Sequence, residues 1–287
     1  MLTLKAHAKI NLTLEVISKR FDGYHEIASI FQTISLHDEI KLTAGDSISL
    51  DCNLNELNKY NNIVVEAAYL LKEYTGINKG VKITLNKFIP VSAGLGGGSS
   101  DAATVLLGLN QLWKLGLSNE QLVEIATDLG SDVPFFLQNG TALVQGRGER
   151  VKRLPNAKLG WIVLLSPQIY IPVKTANLYS LISSDHFTKG LLTHKLAGRI
   201  KGGSDVPTEF LFNTFENVSH TAYVDIEMYK EIFKRIGGKE IHLAGSGPTL
   251  YCFVSSREIG TAMQLLLKYQ YNLQSYLTSP WFPEVRS

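Results

Sequence analysis

The chain has 287 residues, 45% of them hydrophobic, and a formal net charge of +2. That length suits two packed domains, and a balanced charge with no basic run argues against a nucleic-acid partner. The longest apolar stretches, such as "WIVLL", are far too short to cross a bilayer, and the start lacks the apolar core and cleavage site of a signal peptide. A cytosolic protein with no membrane partner is therefore expected, and Cys52 and Cys252 read as reduced thiols.

Residues 2–17 alternate apolar and polar, with Ile10, Leu12, Leu14 and Val16 on one side, which predicts a half-buried strand. Lys9 and Asn11 share the opposite face, because strand side chains alternate. Further strands are predicted over 27–36 and 47–50. "NIVVEAAYLLKEY" predicts an amphipathic helix capped by Asn61 or Asn62. "VKITL" is a strand; helices follow the glycines and cover 119–129; "TALVQG" and "WIVLL" return to strand. The region 185–207, with Gly190, Gly202, Gly203 and Pro207, reads as loop. A helix near 222–236, strands at 240–244 and 249–254 and a helix at 257–269 complete the chain. The elements interleave without a strict βαβ rhythm, so the class is α+β. The expected division is 1–155 and 156–287.

One stretch demands an explanation. "PVSAGLGGGSSDAATVLLGLNQLW" places four glycines in the five positions 94–98, just before a helical pattern carried by Ala102, Ala103, Leu106, Leu109 and Trp113. Glycine costs conformational entropy on folding. At a helix N-terminus the first N–H groups lack intrahelical partners and the dipole adds positive potential. Glycines let those N–H groups converge on one point, a nest for a phosphate. Ser99 and Ser100 add hydroxyls there. The plainer reading is a flexible loop with a serine cap. The Walker pattern fails for want of a lysine after the last glycine, G-x-G-x-x-G fails at Ser99, and H-R-D and D-F-G are missing.

The stretch resembles the signature loop of the GHMP kinases. "AKINLTLEVISKRFDGYHEIASIF", "LGSDVPFFLQNGTALVQGRGE" and "HLAGSGPTLYCFV" follow in the family's order and extend the resemblance over residues 6 to about 254. The pairing of "AKINL" with "DGYHEI" and "GSDVPFF" is similar to the branch whose acceptor is a cytidine diphosphate derivative of methylerythritol. The resemblance implies a two-domain α+β fold with its active site in the cleft between domains, ATP as phosphoryl donor, and Mg2+ accompanying ATP without an assigned protein ligand set. One departure is Lys174, where relatives often carry a smaller residue.

Phosphoryl transfer to an alcohol needs held phosphates, neutralised charge and an aligned hydroxyl relieved of its proton. The resemblance assigns catalysis to Asp132, as base, and to Lys9, which would pair with it. Taken alone, Asp132 before Pro134 reads as a helix cap and Lys9 as a solvated strand lysine. Pro90, Gly94, Leu95, Gly96, Gly97, Gly98, Ser99 and Ser100 are expected to bind ATP, with Asn62 and Lys87 on the nucleotide side; a helix cap and a solvated strand end are their plainer roles. Asn11 can bond the substrate. Tyr24 offers a face, and His25 an edge, for a cytosine. Thr175 and Tyr179, four apart on one helical face, would border the substrate pocket. Gly245–Gly247 form a second tight turn. The other histidines show no ligand spacing, and none is assigned to a metal. Two rival readings are another GHMP kinase, for homoserine or mevalonate, and a non-catalytic binding protein on the same scaffold.

Overall fold

The computed structural model describes residues 1–58, 61–169 and 174–284, and the side chain of Lys174 lies outside this description. In chain order the elements are β1 (Leu2–Lys19), β2 (His25–Gly45), β3 (Ile48–Cys52), α1 (Ile63–Thr75), β4 (Gly80–Asn86), α2 (Gly97–Trp113), α3 (Asn119–Leu129), α4 (Val133–Gln138), β5 (Thr141–Gly146), β6 (Arg150–Arg153) and β7 (Trp161–Leu165). Then come α5 (Lys174–Ser180), α6 (Leu191–Lys201), β8 (Phe212–Asn213), α7 (Ser219–Ala222), α8 (Ile226–Arg235), β9 (His242–Leu243), β10 (Leu250–Val254), α9 (Arg257–Tyr269) and β11 (Ser275–Thr278). The mixture is α+β, as expected.

The residues group into two compact units: Met1–Ala8, Leu36–Val91 and Gly96–Asn139 in one, Lys9–Ser35, Ser92–Leu95 and Gly140–Ser287 in the other. This grouping crosses the chain five times, whereas a division at 155 follows chain order.

In the first unit, β4 runs antiparallel to the second half of β2 (Glu39 opposite Asn86, Gly45 opposite Gly80) and parallel to β3 (Ile48 opposite Val81). Helices α1 to α4 pack on one another. Helix α1 starts where Asn62 Oδ1 accepts the Val64 N–H at 3.1 Å and ends at Gly76, whose φ of +68° suits a left-handed cap. Helix α3 opens with a Ser118–Gln121 capping box. Helix α2 comes so close to the strands that a Cβ on Gly108 would lie 2.5 Å from Leu42 Cδ1 and 2.6 Å from Leu4 Cδ1.

In the second unit, the first half of β2 pairs antiparallel with β5 (Ile27 opposite Gly146), β5 with β6, and β1 with β8 in parallel. A separate sheet has the order β11-β7-β10-β9. Leu14, Val16, Ile27, Val163, Leu165, Phe215, Tyr223, Phe233, Leu250, Met263 and Leu267 fill the core.

Two expectations are corrected. Strand β1 is buried on both faces from Ala6 to Val16, so its polar residues are interior. Burying them is tolerable because they are hydrogen-bonded. Thr13 Oγ1 accepts Ile30 N at 3.0 Å and the Thr193 hydroxyl at 2.9 Å, and Glu15 Oε2 accepts Thr193 N at 2.8 Å. The loop read over 185–207 contains α6. Its bracketing glycines are caps rather than breakers: Gly190, at φ +70°, precedes it and Gly202 follows it. The buried Glu15 then satisfies one of the orphan donors of its first turn.

Candidate active site

The glycine stretch is where the chain passes from one unit to the other, and its glycines answer to different constraints. Gly94 sits at φ +83°, and a Cβ there would stand 2.1 Å from Ala244 O and 2.7 Å from Gly247 N, inside the second unit's own turn. Gly96 is the N-cap of α2 at φ +72°. A Cβ on Gly97 would meet Ile89 Cγ2 at 3.0 Å and Lys87 Nζ at 3.2 Å. Gly98 is different: it is exposed, and the nearest atom to its Cβ would be Ile63 Cγ2 at 3.8 Å. Nothing in the described protein forbids a side chain at Gly98. The first helical bond, Ser100 N to Gly96 O at 2.9 Å, leaves the earlier N–H groups of α2 outside the intrahelical ladder. Ser99 is half-buried, Ser100 buried and Pro90 half-buried. Leu95 is buried, and its carbonyl accepts Lys9 N at 2.9 Å.

The two residues expected on the nucleotide side are both engaged by the protein. Asn62 caps α1 and also donates to Leu57 O at 2.9 Å. Lys87 is no solvated strand end. Its side chain is 5% exposed and its Nζ contacts Asp101 Oδ2 at 2.7 Å and Asp38 Oδ2. Asp38 and Asp101 were not singled out from the sequence. Asp101 was legible only as the residue after two serines, and nothing local marks Asp38.

Asp132 stands at the N-cap position of α4, half-buried, before the buried Val133–Leu137. Its side chain makes no capping bond, and Val133 N donates instead to Gly130 O at 3.1 Å. The plain helix-cap role is thus not the one it plays.

Lys9 is 4% exposed, and its ammonium donates to Asn11 Oδ1 at 2.9 Å and lies 4.1 Å from the centre of the Phe31 ring. Asn11 Nδ2 donates to Ser29 Oγ at 2.9 Å, and Tyr251 OH donates to Asn11 O at 2.8 Å. Across from this corner stands the second tight turn: a Cβ on Gly245 would lie 3.3 Å from Asn11 Oδ1 and 3.4 Å from Lys9 Nζ. Asn213 Nδ2 bonds Leu243 O and Gly245 O, both at 2.8 Å, and Tyr223 OH donates to Ser246 O. Ser29, Asn213, Tyr223 and Tyr251 thus fix this corner, and none was predicted. Their bonds join segments far apart in sequence, which no local pattern reveals.

His25 and Tyr179 stack, with ring centroids 4.8 Å apart and planes 16° from parallel. Phe215 meets Tyr179 edge-on at 4.9 Å and Phe187 flanks His25 at 6.3 Å. Burial, then the Lys19 charge, holds His25 below the usual imidazole range. Tyr24 is 52% exposed, with the Arg147 guanidinium 4.8 Å from its ring centre. Thr175 Oγ1 lies 3.2 Å from Ser246 Oγ. The structure therefore joins Lys9 with Asn11, His25 with Tyr179, and Thr175 with the Gly245–Gly247 turn, all within the second unit.

Known proteins match this chain over nearly its whole length. The GHMP kinases N terminal domain matches residues 62–140. A 4-diphosphocytidyl-2-C-methyl-D-erythritol kinase of Dehalococcoides mccartyi is 40% identical over 284 residues, covering 99% of both chains. One from Bacillus cereus is 40% identical over 260 residues, 88% of each. A crystal structure of 4-(cytidine 5'-diphospho)-2C-methyl-D-erythritol kinase is similar with a TM-score of 0.81 at 29% identity, covering 96% of this chain and 98% of that one. Mevalonate kinase of L. major shares the fold, with a TM-score of 0.72 at 15% identity over 99% of this chain and 97% of that one.

Proposed function

Because the chain belongs to the GHMP kinases, and within them to the 4-diphosphocytidyl-2-C-methyl-D-erythritol kinases, we propose that the residues described above carry that family's reaction. The protein is an ATP-dependent phosphotransferase of non-mevalonate isoprenoid precursor synthesis, and it phosphorylates the C2 hydroxyl of the cytidine diphosphate derivative of methylerythritol.

In this reading the first N–H groups of α2, with Ser99 and Ser100, hold the ATP phosphates. Pro90, Gly94, Leu95 and Gly96 shape the turn, and Asn62 fixes the start of α1, whose Ile63 is the neighbour of Gly98. Asp132 takes the proton of the acceptor hydroxyl, and its place at the start of α4, beside the buried Val133–Leu137, supports that role. Lys9 supplies positive charge to the transferred group. Asn11, held by Ser29 and Lys9, bonds the acceptor. Tyr24 offers its exposed face to the cytosine, the His25–Tyr179 stack recognises its edge, and Thr175 borders the same acceptor.

Mg2+, expected with ATP, neutralises phosphate charge. Among the described residues no group of three His, Cys, Asp or Glu side chains converges on a metal position. Among them, no helix is long and apolar enough to cross a membrane.

The observation that carries the nucleotide site is Gly98, a glycine whose side-chain direction meets no close protein atom at the start of α2. The test is ADP release by the purified protein with ATP and a panel of alcohols. Release with the cytidine acceptor and not with homoserine or mevalonate supports the reading; the reverse pattern overturns it.

A further inference from the structure

Beneath the first turn of α2 lies a charge cluster built on Lys87, one of the two residues expected on the nucleotide side. Lys87, from the segment after β4, meets Asp38 of β2 and Asp101 of α2. All three side chains are 5% exposed or less, so one cation faces two carboxylates out of water. Asp38 is fully committed: its Oδ1 accepts Ile89 N at 2.8 Å and its Oδ2 accepts from Lys87. Asp101 is not. Its Oδ2 accepts from Lys87, while its Oδ1 is buried without a hydrogen-bond partner. Among the described residues, Cys52 of β3 is a further titratable group facing the cluster, and its thiol is itself pushed up, chiefly by burial. Asn53 holds the Lys87 backbone through both its N–H, at 2.8 Å, and its carbonyl, at 3.2 Å.

Lys87 Nζ also stands 3.2 Å from the place a Gly97 Cβ would occupy. The cluster thus lies close beside the turn proposed to hold the ATP phosphates. We infer that Asp101 is a positioning residue for ATP: it clamps Lys87 under Gly97, and its protonation sets the net charge beneath the phosphates. With Asp101 neutral, Lys87 and Asp38 balance. With Asp101 ionised, the cluster carries one excess negative charge that opposes a polyphosphate at the same helix end.

Two features support this. Burial first, then the Asp38 charge working against that of Lys87, raises Asp101 to about 8. Lys87, which burial alone would lower, is raised on balance by Asp101 and Asp38, so it stays charged through neutral pH. Asp101 is thus the carboxyl raised into the range between neutral and mildly alkaline pH.

The inference rests on the kinase reading but is tested separately from it. Titration calorimetry with MgATP from pH 6.5 to 9.5, on wild type, Asp101→Asn and Asp101→Ala, reads ATP affinity without any acceptor. In wild type the Kd for ATP should rise about two- to fivefold as pH passes about 8, the effect of one charge at a helix terminus. Asp101→Asn keeps an acceptor for Lys87 and cannot ionise, so its Kd should stay flat over the same range. Asp101→Ala unclamps Lys87 and should raise Kd about tenfold at every pH, with Asn restoring it. Equal pH slopes in wild type and Asp101→Asn overturn the inference, as does a wild-type Kd in Asp101→Ala. Should Asp101→Ala not fold, the two slopes still decide. Wild type that binds no ATP at any pH would instead overturn the kinase reading itself.

Discussion

Gly98→Ala separates a glycine kept for folding from one kept for a ligand. The added methyl would lie 3.8 Å from Ile63 Cγ2, an ordinary van der Waals distance, and Gly98 is not among the glycines with positive φ. Replacing a helical glycine by alanine under those conditions stabilises by about 0.4–1 kcal/mol. For a chain of this size that is a rise in Tm of roughly 1–4 °C. The same methyl would stand where phosphate oxygens must approach the N–H groups to about 2.9 Å. ATP affinity should therefore fall at least about tenfold, equivalent to roughly 1.4 kcal/mol. Gly97→Ala is the control. Its methyl would press on Ile89 at 3.0 Å and on Lys87 at 3.2 Å, so Tm should fall. The assays are thermal unfolding and titration calorimetry with MgATP. A folded Gly98→Ala protein with wild-type ATP affinity would refute the reasoning, because Gly98 would then face solvent and nothing else.

Three further outcomes follow from the geometry. Tyr24→Ala removes one aromatic contact with the base, worth about 1–3 kcal/mol, so KM for the cytidine acceptor should rise roughly 5- to 150-fold with ATP affinity unmoved; an equal loss for ATP would contradict the assignment. His25 is held below its usual range, so its neutral form stabilises the stack on Tyr179 above about pH 6.5 and that contribution is lost as pH falls. The acceptor's KM should be flat above that pH and climb below it, and His25→Gln should remove the climb. Gly94→Ala forces a methyl to 2.1 Å from Ala244 O at a φ of +83°; it should lower Tm by several degrees through the second unit, and an unchanged Tm would show that the turn can yield.

What the sequence revealed, and what it concealed, divides by range. Helices α1, α3 and α9 were legible because their signals are local: Asn62, the Ser118–Gln121 box and Ser256 each cap the helix they precede. The glycine turn was legible from its own glycines before a helical pattern, and Lys9, Asn11, His25 and Tyr179 were expected through the family's motifs, but the stacking of His25 on Tyr179 was not. Long-range burial was not legible. Alternation in β1 suggested a wet face, whereas Lys9, Asn11, Thr13 and Glu15 are interior because distant partners, Ser29 and Thr193 among them, satisfy the last three. Helix α6 was hidden by its own caps, and β6 and β11 are four-residue strands too short to show a period. Lys87 looked like a solvated strand end because neither Asp38 nor Asp101 lies near it in sequence.

The central claim is that Lys9 and Asp132 transfer phosphate from ATP to the cytidine acceptor. Phosphorus NMR of the product mixture, for wild type and Asp132→Asn with ATP and the methylerythritol cytidine diphosphate, tests it most directly. The account predicts a new phosphate monoester at the C2 oxygen and equimolar ADP in wild type. In Asp132→Asn it predicts turnover lower by a factor on the order of 100 or more, the range for losing a general base, with ATP affinity nearly intact. ADP without the monoester in wild type, or Asp132→Asn turning over at the wild-type rate, would contradict it.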